Sequence, residues 1–255
     1  MPDTKQLIQT MPTPLHIDYG KLADLFYYPE NESYRAKITS IYTYLLQASN
    51  EAGKTMQVFI DFMETSSLQD MQELFLRSFD VQAITTLDIG FVLFGEDYKR
   101  GKLLVHLNKE HNEVANKCGT ELSDHLPNLL NLLGKMKDQE IRDEIAVRLI
   151  LPAVEKMIRE FSSEKIEKKD GVYKKHQKVL LDYSKNYRTI YQTLLEALFV
   201  ALQKDYHYES ENYEELIKNA GNSDDQSFFS PKNTMVSKPE NDFAQNIETE
   251  MLTDK

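Results

Sequence analysis

Hydrophobic residues recur every three or four positions along most of this chain, a spacing that places them on one face of an α-helix. The first such stretch begins near Asp18 and stops at Pro29, because proline cannot continue a helix. A second runs from about Glu32 to Ala52, and Gly53 is expected to end it as a left-handed cap. The pattern therefore predicts consecutive helices in the first part of the chain.

The run from Met56 to Met63 suits either a strand or a helix by periodicity alone, and its helical neighbours favour a helix. Ser66, followed three residues later by Gln69, resembles a capping box that opens the next helix. One face of that helix is predicted to be buried, and it is formed by Met71, Leu74, Phe75 and Phe79. All of these segments are therefore interpreted as helical.

A further helix is predicted after Gly101, and Gly119 is expected to end it. Its inner face is formed by Leu103, Leu104, Leu107, His111 and Val114. Three more helices are predicted beyond it, at about 127–136, 139–150 and 152–161. Pro152 lacks an N–H group, so we expect a break or a kink at Leu151.

The connection before the second group of helices combines an acid with an imidazole. Pro127 suits the first position of a helix, and Leu126, which precedes it, is biased toward extended geometry. Asp124 and His125 are therefore predicted to lie in a loop between rigid helices, where binding residues are often found. The alternative is that Asp124 and Ser123 only cap the following helix.

The pattern as a whole predicts an all-α fold: a single-domain bundle of about eight to ten helices with a disordered acidic C-terminal tail. Residues 1–17 are expected to form a flexible arm and residues 18–208 the helical domain, whose halves meet near 119–126. A long amphipathic helix is predicted over about 172–204, with a stripe typical of a core face or a packing seam. Residues 209–255 are expected to be mostly disordered.

Charge and composition narrow the functional classes. Most of the net charge of −11 belongs to residues 205–255, so the body is nearly neutral and lacks the basic surface of a general nucleic-acid-binding protein. The single cysteine, Cys118, fits a reducing compartment. No secretory signal and no apolar run of membrane-spanning length is recognisable. These features predict a soluble cytoplasmic protein.

Candidate catalytic chemistry is sparse. Residues 48–55 match a relaxed phosphate-loop pattern, but the preceding segment is predicted to be helical and the loop is poor in glycine. His106 and His111 are five residues apart and diverge on a helix, and no metal-binding histidine or cysteine motif is present. Cys118 has no base near it in the sequence and is interpreted as a small buried residue.

Two strings in the middle of the chain resemble the paired signatures of a known family. They are Phe91–Gly101 (FVLFGEDYKRG) and Glu121–Leu130 (ELSDHLPNLL). Together they are similar to the signatures of the TorD/NarJ-type redox-enzyme maturation chaperones, and in particular of the nitrate reductase chaperone-like branch. Weaker similarities over about residues 18–204 are found at Leu25–Pro29, Leu151–Lys156 and Tyr187–Leu198.

The resemblance implies an all-helical chaperone that is not an enzyme and needs no cofactor of its own. Family members bind the apo catalytic subunit of a molybdopterin-containing oxidoreductase in the cytoplasm until its cofactors are inserted, and many bind its N-terminal twin-arginine signal peptide. The resemblance assigns the client-peptide-binding residues here to Asp124, His125, Leu126, Pro127, Glu121, Tyr98 and Arg100. It implies no catalytic residue, no metal site, no nucleic-acid partner and no membrane insertion.

Two other interpretations of the sequence remain open. One is a helical scaffold that dimerises through its C-terminal seam, alone or in addition to the chaperone role, since helix exchange is an accessible route to dimers. The other is a helical nucleotide-binding or hydrolytic enzyme that uses residues 53–55 or the Asp124–His125 pair. The identity of the client, the oligomeric state and the role of the acidic tail are not determined by the residues.

Overall fold

A computed structural model describes residues 17–162, 165–166 and 188–208 of the chain. In these ranges every regular element is helical, and the only strand-like pairing is an isolated antiparallel bridge between Asp88 and His125. The predicted all-α fold is thus confirmed. None of the described helices is both long enough and apolar enough to cross a membrane. The predicted arm, apart from Ile17, and the predicted disordered tail lie outside the described residues.

The first half of the fold is a series of short and long helices. A short helix α1 continues directly into a 3-10 turn at Ala23–Phe26, and longer helices follow after Pro29. The bounds of the α-helices are Tyr19–Leu22 for α1, Ser33–Ala48 for α2, Asn50–Thr65 for α3 and Leu68–Phe79 for α4.

The second half begins with the short helix α5, and its last described helix is α10. A π-helical turn at Ala146–Ile150 joins α8 to α9 without a break. The bounds are Ile89–Phe94 for α5, Tyr98–Glu113 for α6, Leu126–Lys135 for α7, Gln139–Ile145 for α8, Leu151–Glu160 for α9 and Ile190–Tyr206 for α10.

The role predicted for Gly53 is wrong. The chain breaks at Ser49 instead, where the backbone is extended, and Gly53 lies in the first turns of α3. A Cβ atom at Gly53 would lie 2.8 Å from the backbone of Leu46 in α2. The glycine is therefore explained by the close approach of two helices, a contact that sequence periodicity does not reveal.

Three helix boundaries also differ from prediction. The capping box is formed by Ser67 and Asp70, one residue beyond the predicted pair. Helix α6 ends at Glu113, six residues before Gly119, and positive φ angles follow at both Ala115 and Gly119. The predicted break at Leu151 is absent, because a π-helical turn continues the helix there. The Leu151 N–H donates to the Ala146 carbonyl, five residues earlier, and this turn accommodates the missing N–H of Pro152.

The core is one continuous cluster of buried apolar side chains. Helix α10 packs along α3, which packs in turn on α2, while α7 covers α1. The described part of the predicted C-terminal seam, including Leu194, Ala197 and Ala201, is fully buried in this core. These three seam residues therefore face the core of their own chain. Most of the predicted seam before Ile190 lies outside the described residues.

An aromatic cluster anchors the start of α10 to the first half of the fold. The ring of Tyr191 is edge-on to Phe59, Phe75 and Phe79, with centroid distances of 5.2, 5.7 and 5.0 Å. Edge-to-face pairs of this kind add to the stabilisation from burial. The C-terminal part of α4 is thereby fixed, and its outer side forms part of the groove described below.

Candidate functional site

A backbone bridge between Asp88 and His125 brings the residues just upstream of the first signature string against the second string. The Ile89 N–H donates to the Asp124 carbonyl at 3.0 Å, and the Leu126 N–H donates to the Leu87 carbonyl at 2.9 Å. These bonds join the residues just before α5 to the residues just before α7. The connection that carries Asp124 and His125 is therefore held against α5. The bias before Pro127 predicted extended geometry at Leu126, but Leu126 is the first residue of α7 and the extended residue is His125.

The Asp124 carboxylate is fully buried, which corrects the expectation that it hydrogen-bonds a client peptide. Its Oδ2 atom accepts from the Gly90 N–H at 3.1 Å and from Arg100 Nε at 3.0 Å. A Cβ atom at Gly90 would lie 2.6 Å from this oxygen, so only glycine allows the approach. Asp124 thus joins the N-terminal parts of α5 and α6 rather than facing solvent.

Arg100 binds two carboxylates, one from each of the two segments that this bridge joins. Its Nε donates to Asp124, and its NH2 group donates to Asp88 Oδ2 at 3.0 Å. Only 13% of the Arg100 side chain is exposed, and the guanidinium lies 5.5 Å from the centre of the Phe91 ring. Arg100 was predicted to contact a client, but its guanidinium is used within the protein.

His125 completes this series of contacts at the surface. Its Nδ1 lies 3.1 Å from Asp88 Oδ1, and the side chain is partly exposed. In a neutral ring that donates from Nδ1, Nε2 is left as a hydrogen-bond acceptor. The hydrogen bond from His125 and the charge of Arg100 lower the pKa of Asp88, against the opposing effect of partial burial. Asp88 therefore stays anionic and fixes the orientation of the imidazole.

An open groove of about 970 Å³ runs beside His125. Six aromatic residues line it: Phe26, Tyr27, Tyr28, Tyr34, Phe75 and Phe79. The groove is also lined by Cys118, Glu121 and His125 from the connection between α6 and α7, and by Asn128 in the first turn of α7. Two segments that carry the family resemblance thus line one groove: the chain after the 3-10 turn and the stretch from Glu121 to Asn128. The residues just before α5 line it as well, but no residue of the Phe91–Gly101 string does.

The remaining predicted site residues are divided between the core, the groove and another surface. Leu126 and Pro127 are buried and support the start of α7, so they do not face the groove. Glu121 is exposed and lines the groove. Tyr98 is 77% exposed, but it lies outside the groove, with the Lys102 ammonium 4.9 Å from its ring centre. Of the seven residues, only His125 and Glu121 line the groove.

A buried polar network, which the sequence did not reveal, holds the connection between α6 and α7. His111 Nε2 donates to the Ser123 carbonyl at 3.0 Å, and its Nδ1 accepts from Asn116 at 2.9 Å. Asn128 donates to the Cys118 and Leu122 carbonyls at 3.2 and 2.9 Å. Burial lowers the pKa of His111, which favours the neutral ring that this network requires.

The other candidate chemistry of the sequence does not assemble at this site. Gly53, Lys54 and Thr55 lie within α3, where the Gly53 N–H donates to the Ser49 carbonyl, so they do not form a phosphate-binding loop. Burial raises the pKa of the Cys118 thiol, which disfavours the reactive thiolate. In the part of the chain that the structure describes, no group of three or more His, Cys, Asp or Glu side chains is arranged to hold a metal ion.

The described residues thus form an open groove with aromatic lining residues, an imidazole held by Asp88 and a polar rim. Comparison of the chain with protein-family models gives no match, and comparisons with curated proteins and with solved structures give none either.

Proposed function

We propose that this protein is a cytoplasmic chaperone that binds the apo catalytic subunit of a molybdenum oxidoreductase, including its N-terminal twin-arginine leader. It holds the subunit for cofactor insertion before assembly or export. It binds and releases its client without catalysing a reaction. The sequence resemblance to the TorD/NarJ-type chaperones is the origin of this proposal.

One observation carries the proposal: two segments that bear the resemblance, Leu25–Pro29 and Glu121–Leu130, line a single open groove. Tyr27 and Tyr28 come from the first segment, and Glu121 and His125 come from the second. Arg100 of the Phe91–Gly101 string does not line the groove, but it binds the second string by donating to Asp124 at 3.0 Å. The paired signatures therefore have a shared physical role, which is to fix one wall of a peptide-sized groove.

The groove suits a client polypeptide better than a small substrate. It is open rather than enclosed, and both tyrosines present rings that are 39% exposed. Aromatic rings contribute large contact areas at low entropic cost, while the His125 Nε2 atom accepts a hydrogen bond from a peptide N–H group. Binding in such a groove uses burial and backbone hydrogen bonds and requires no reacting group.

The test is affinity capture from the native cytoplasm with the tagged full-length chain, followed by identification of the bound proteins. The catalytic subunit of a molybdenum oxidoreductase is expected to be captured. The Tyr28→Ala and His125→Ala variants should each reduce its recovery, because both remove groups that line the groove. Tyr98→Ala is the matched control, since it removes an exposed tyrosine ring outside the groove.

Two outcomes contradict the proposal. Failure to recover any molybdoenzyme subunit under conditions where the tagged chain is folded contradicts the chaperone function. Recovery that falls with Tyr98→Ala but not with Tyr28→Ala or His125→Ala contradicts the groove as the client site. Thermal unfolding of each variant shows whether a loss of capture reflects unfolding instead.

A further inference from the structure

We propose that a segment of the chain's own C-terminal tail, residues 226–239 (QSFFSPKNTMVSKP), occupies the groove when no client is bound. A client then has to displace this segment, so the tail acts as an intramolecular competitor. The inference rests on the proposed function and concerns the regulation of the same groove. It follows from the composition of the segment, the lining of the groove and the length of chain between them.

The segment differs in charge from the rest of the tail. Residues 209–255 contain eleven acidic and four basic residues, but no acidic residue lies between Asp225 and Glu240. Two of the four basic residues, Lys232 and Lys238, lie in this interval. Its larger apolar side chains are Phe228, Phe229, Met235 and Val236. An apolar and positively charged segment is therefore enclosed between two acidic stretches.

The groove lining has the opposite charge, since it contains five carboxylates and two lysines. Asp24 and Asp88 are paired within the protein. The other three side chains, Glu30, Asp80 and Glu121, are exposed, and their carboxylates have no hydrogen-bond or ion-pair partner within the described ranges. The lining therefore has a negative potential that attracts the lysines of the segment and disfavours the acidic stretches on either side of it.

The aromatic residues of the groove suit the two phenylalanines of the segment. Tyr27 and Tyr28 are each 39% exposed, and the Tyr28 ring is edge-on to Phe75 with a centroid distance of 5.6 Å. Phe228 and Phe229 can extend this cluster by further edge-to-face contacts. Burial of these rings supplies most of the binding free energy, because exposed ion pairs contribute little. The lysines then mainly fix which part of the tail is bound.

The length of chain before the segment matches the distance that it has to span. Helix α10 starts beside the groove, where Tyr191 contacts Phe75 and Phe79, and its 17 residues carry the chain about 25 Å away. Seventeen residues separate Tyr208 from Gln226. A polypeptide of that length has a root-mean-square end-to-end distance of about 21–25 Å. The effective concentration of a tethered ligand is highest when these two lengths agree.

The competition that results can be estimated. A tethered segment has an effective concentration on the order of 1 mM. If its own dissociation constant is on the order of 0.1 mM, the segment fills the groove in about nine-tenths of the molecules and weakens client binding about tenfold. A weak intramolecular contact is therefore sufficient to delay a weak client while a tight client still displaces it.

Cys118 provides the test, because it is the single cysteine of the chain and lines the groove. A second cysteine is introduced into the full-length protein by Ser230→Cys within the segment, or by Ala244→Cys outside it as the matched control. Diamide is then added, and the rate of formation of the intrachain disulfide is measured by mass spectrometry after proteolysis. A disulfide requires the two Cα atoms to lie within about 7 Å of each other.

We expect the disulfide of Ser230→Cys to form at least about tenfold faster than that of Ala244→Cys. The shorter tether alone favours position 230 only about twofold, because effective concentration falls roughly as the −3/2 power of length. A quadruple variant of the segment should lose the preference: Phe228→Ser, Phe229→Ser, Lys232→Gln and Lys238→Gln. A control with the same types of change outside the segment should keep it: Phe243→Ser, Leu252→Ser, Lys218→Gln and Lys255→Gln.

Affinity capture then measures the competition with the client. The quadruple segment variant, without an added cysteine, should recover about tenfold more molybdoenzyme subunit than the unmodified chain when the client is limiting. The control with changes outside the segment should recover the same amount as the unmodified chain. Circular dichroism melts of all variants establish that the helical domain remains folded.

A ratio of about two or less between the disulfide rates overturns the inference, because tether length alone explains it. Disulfide-linked dimers in place of the intrachain bond overturn it too, since the segment then occupies the groove of a second copy. Unchanged recovery with the segment variant contradicts the competition. If the disulfide preference is found but no variant captures a molybdoenzyme, the inference stands and the proposed function fails. If the molybdoenzyme is captured without any disulfide preference, the inference fails and the function stands.

Discussion

The Arg100→Met substitution tests the structural core of the candidate site. It removes the guanidinium that binds Asp124 and Asp88 and leaves a side chain of similar length. Asp124 is fully buried, so its carboxylate would keep only the N–H of Gly90 as a partner. Removing one partner of a buried ion pair costs about 3–5 kcal/mol, because the remaining charge is neither paired nor hydrated.

The contribution of the second ion pair is smaller. The Asp88 side chain is 28% exposed and keeps His125 as a partner, so solvent and the imidazole compensate for part of the loss. We therefore expect the free energy of unfolding of Arg100→Met to fall by about 3 kcal/mol or more, mainly through Asp124. The matched control is Lys99→Met, which removes an exposed positive charge from the next position and should cost less than about 0.5 kcal/mol.

The assay is urea denaturation followed by circular dichroism, with a double-mutant cycle that adds Asp124→Asn. Asparagine can still accept the Gly90 N–H without burying a charge. The double variant should therefore be more stable than the sum of the single effects predicts, by about 2 kcal/mol. Additive effects, or an Arg100→Met variant within about 1 kcal/mol of the unmodified protein, would refute the buried ion pair as the link between the signatures.

Two further predictions concern parts of the fold that support the site. The folded-state pKa of His111 lies below its ordinary value of 6.5, so the unfolded chain binds its proton first as the pH falls. The neutral ring therefore contributes stability above about pH 6.5, and this contribution should decrease below it by up to about 1.4 kcal/mol per pH unit. Gly53→Ala should destabilise the protein, because its Cβ meets the Leu46 backbone, whereas Gly101→Ala should stabilise α6 by about 1 kcal/mol.

The His111 prediction is tested with denaturation curves recorded between pH 5 and pH 8, and the glycine predictions with curves recorded at neutral pH. For the His111 prediction, the free energy of unfolding of the unmodified protein is compared with that of His111→Gln at each pH, and the pH dependence of this difference is measured. A difference that is independent of pH contradicts the role given to burial of His111. For the second, a Gly53→Ala variant as stable as Gly101→Ala contradicts the close helix approach, since open space surrounds Gly101.

The sequence by itself determined the helical class and much of the local geometry. Helices are specified by contacts between residues three or four positions apart, which is why Met71, Leu74, Phe75 and Phe79 were recognised as a buried face. Pro127 predicted the start of α7 to within one residue, because proline suits the first turn of a helix; the helix begins at Leu126, and the extended residue before it is His125. Capping boxes and glycine ends were located only to within a few residues.

The tertiary structure alone decided what the polar residues of the site do. Asp124 was predicted to face a ligand, but Arg100, which is 24 positions earlier, and Gly90, which is 34 positions earlier, enclose its carboxylate. Local pattern cannot distinguish a buried carboxylate from an exposed one in a loop, because the difference depends on which distant chain covers it. The same reason explains why Gly53 was interpreted as a helix end, although it lies where α3 approaches α2 closely.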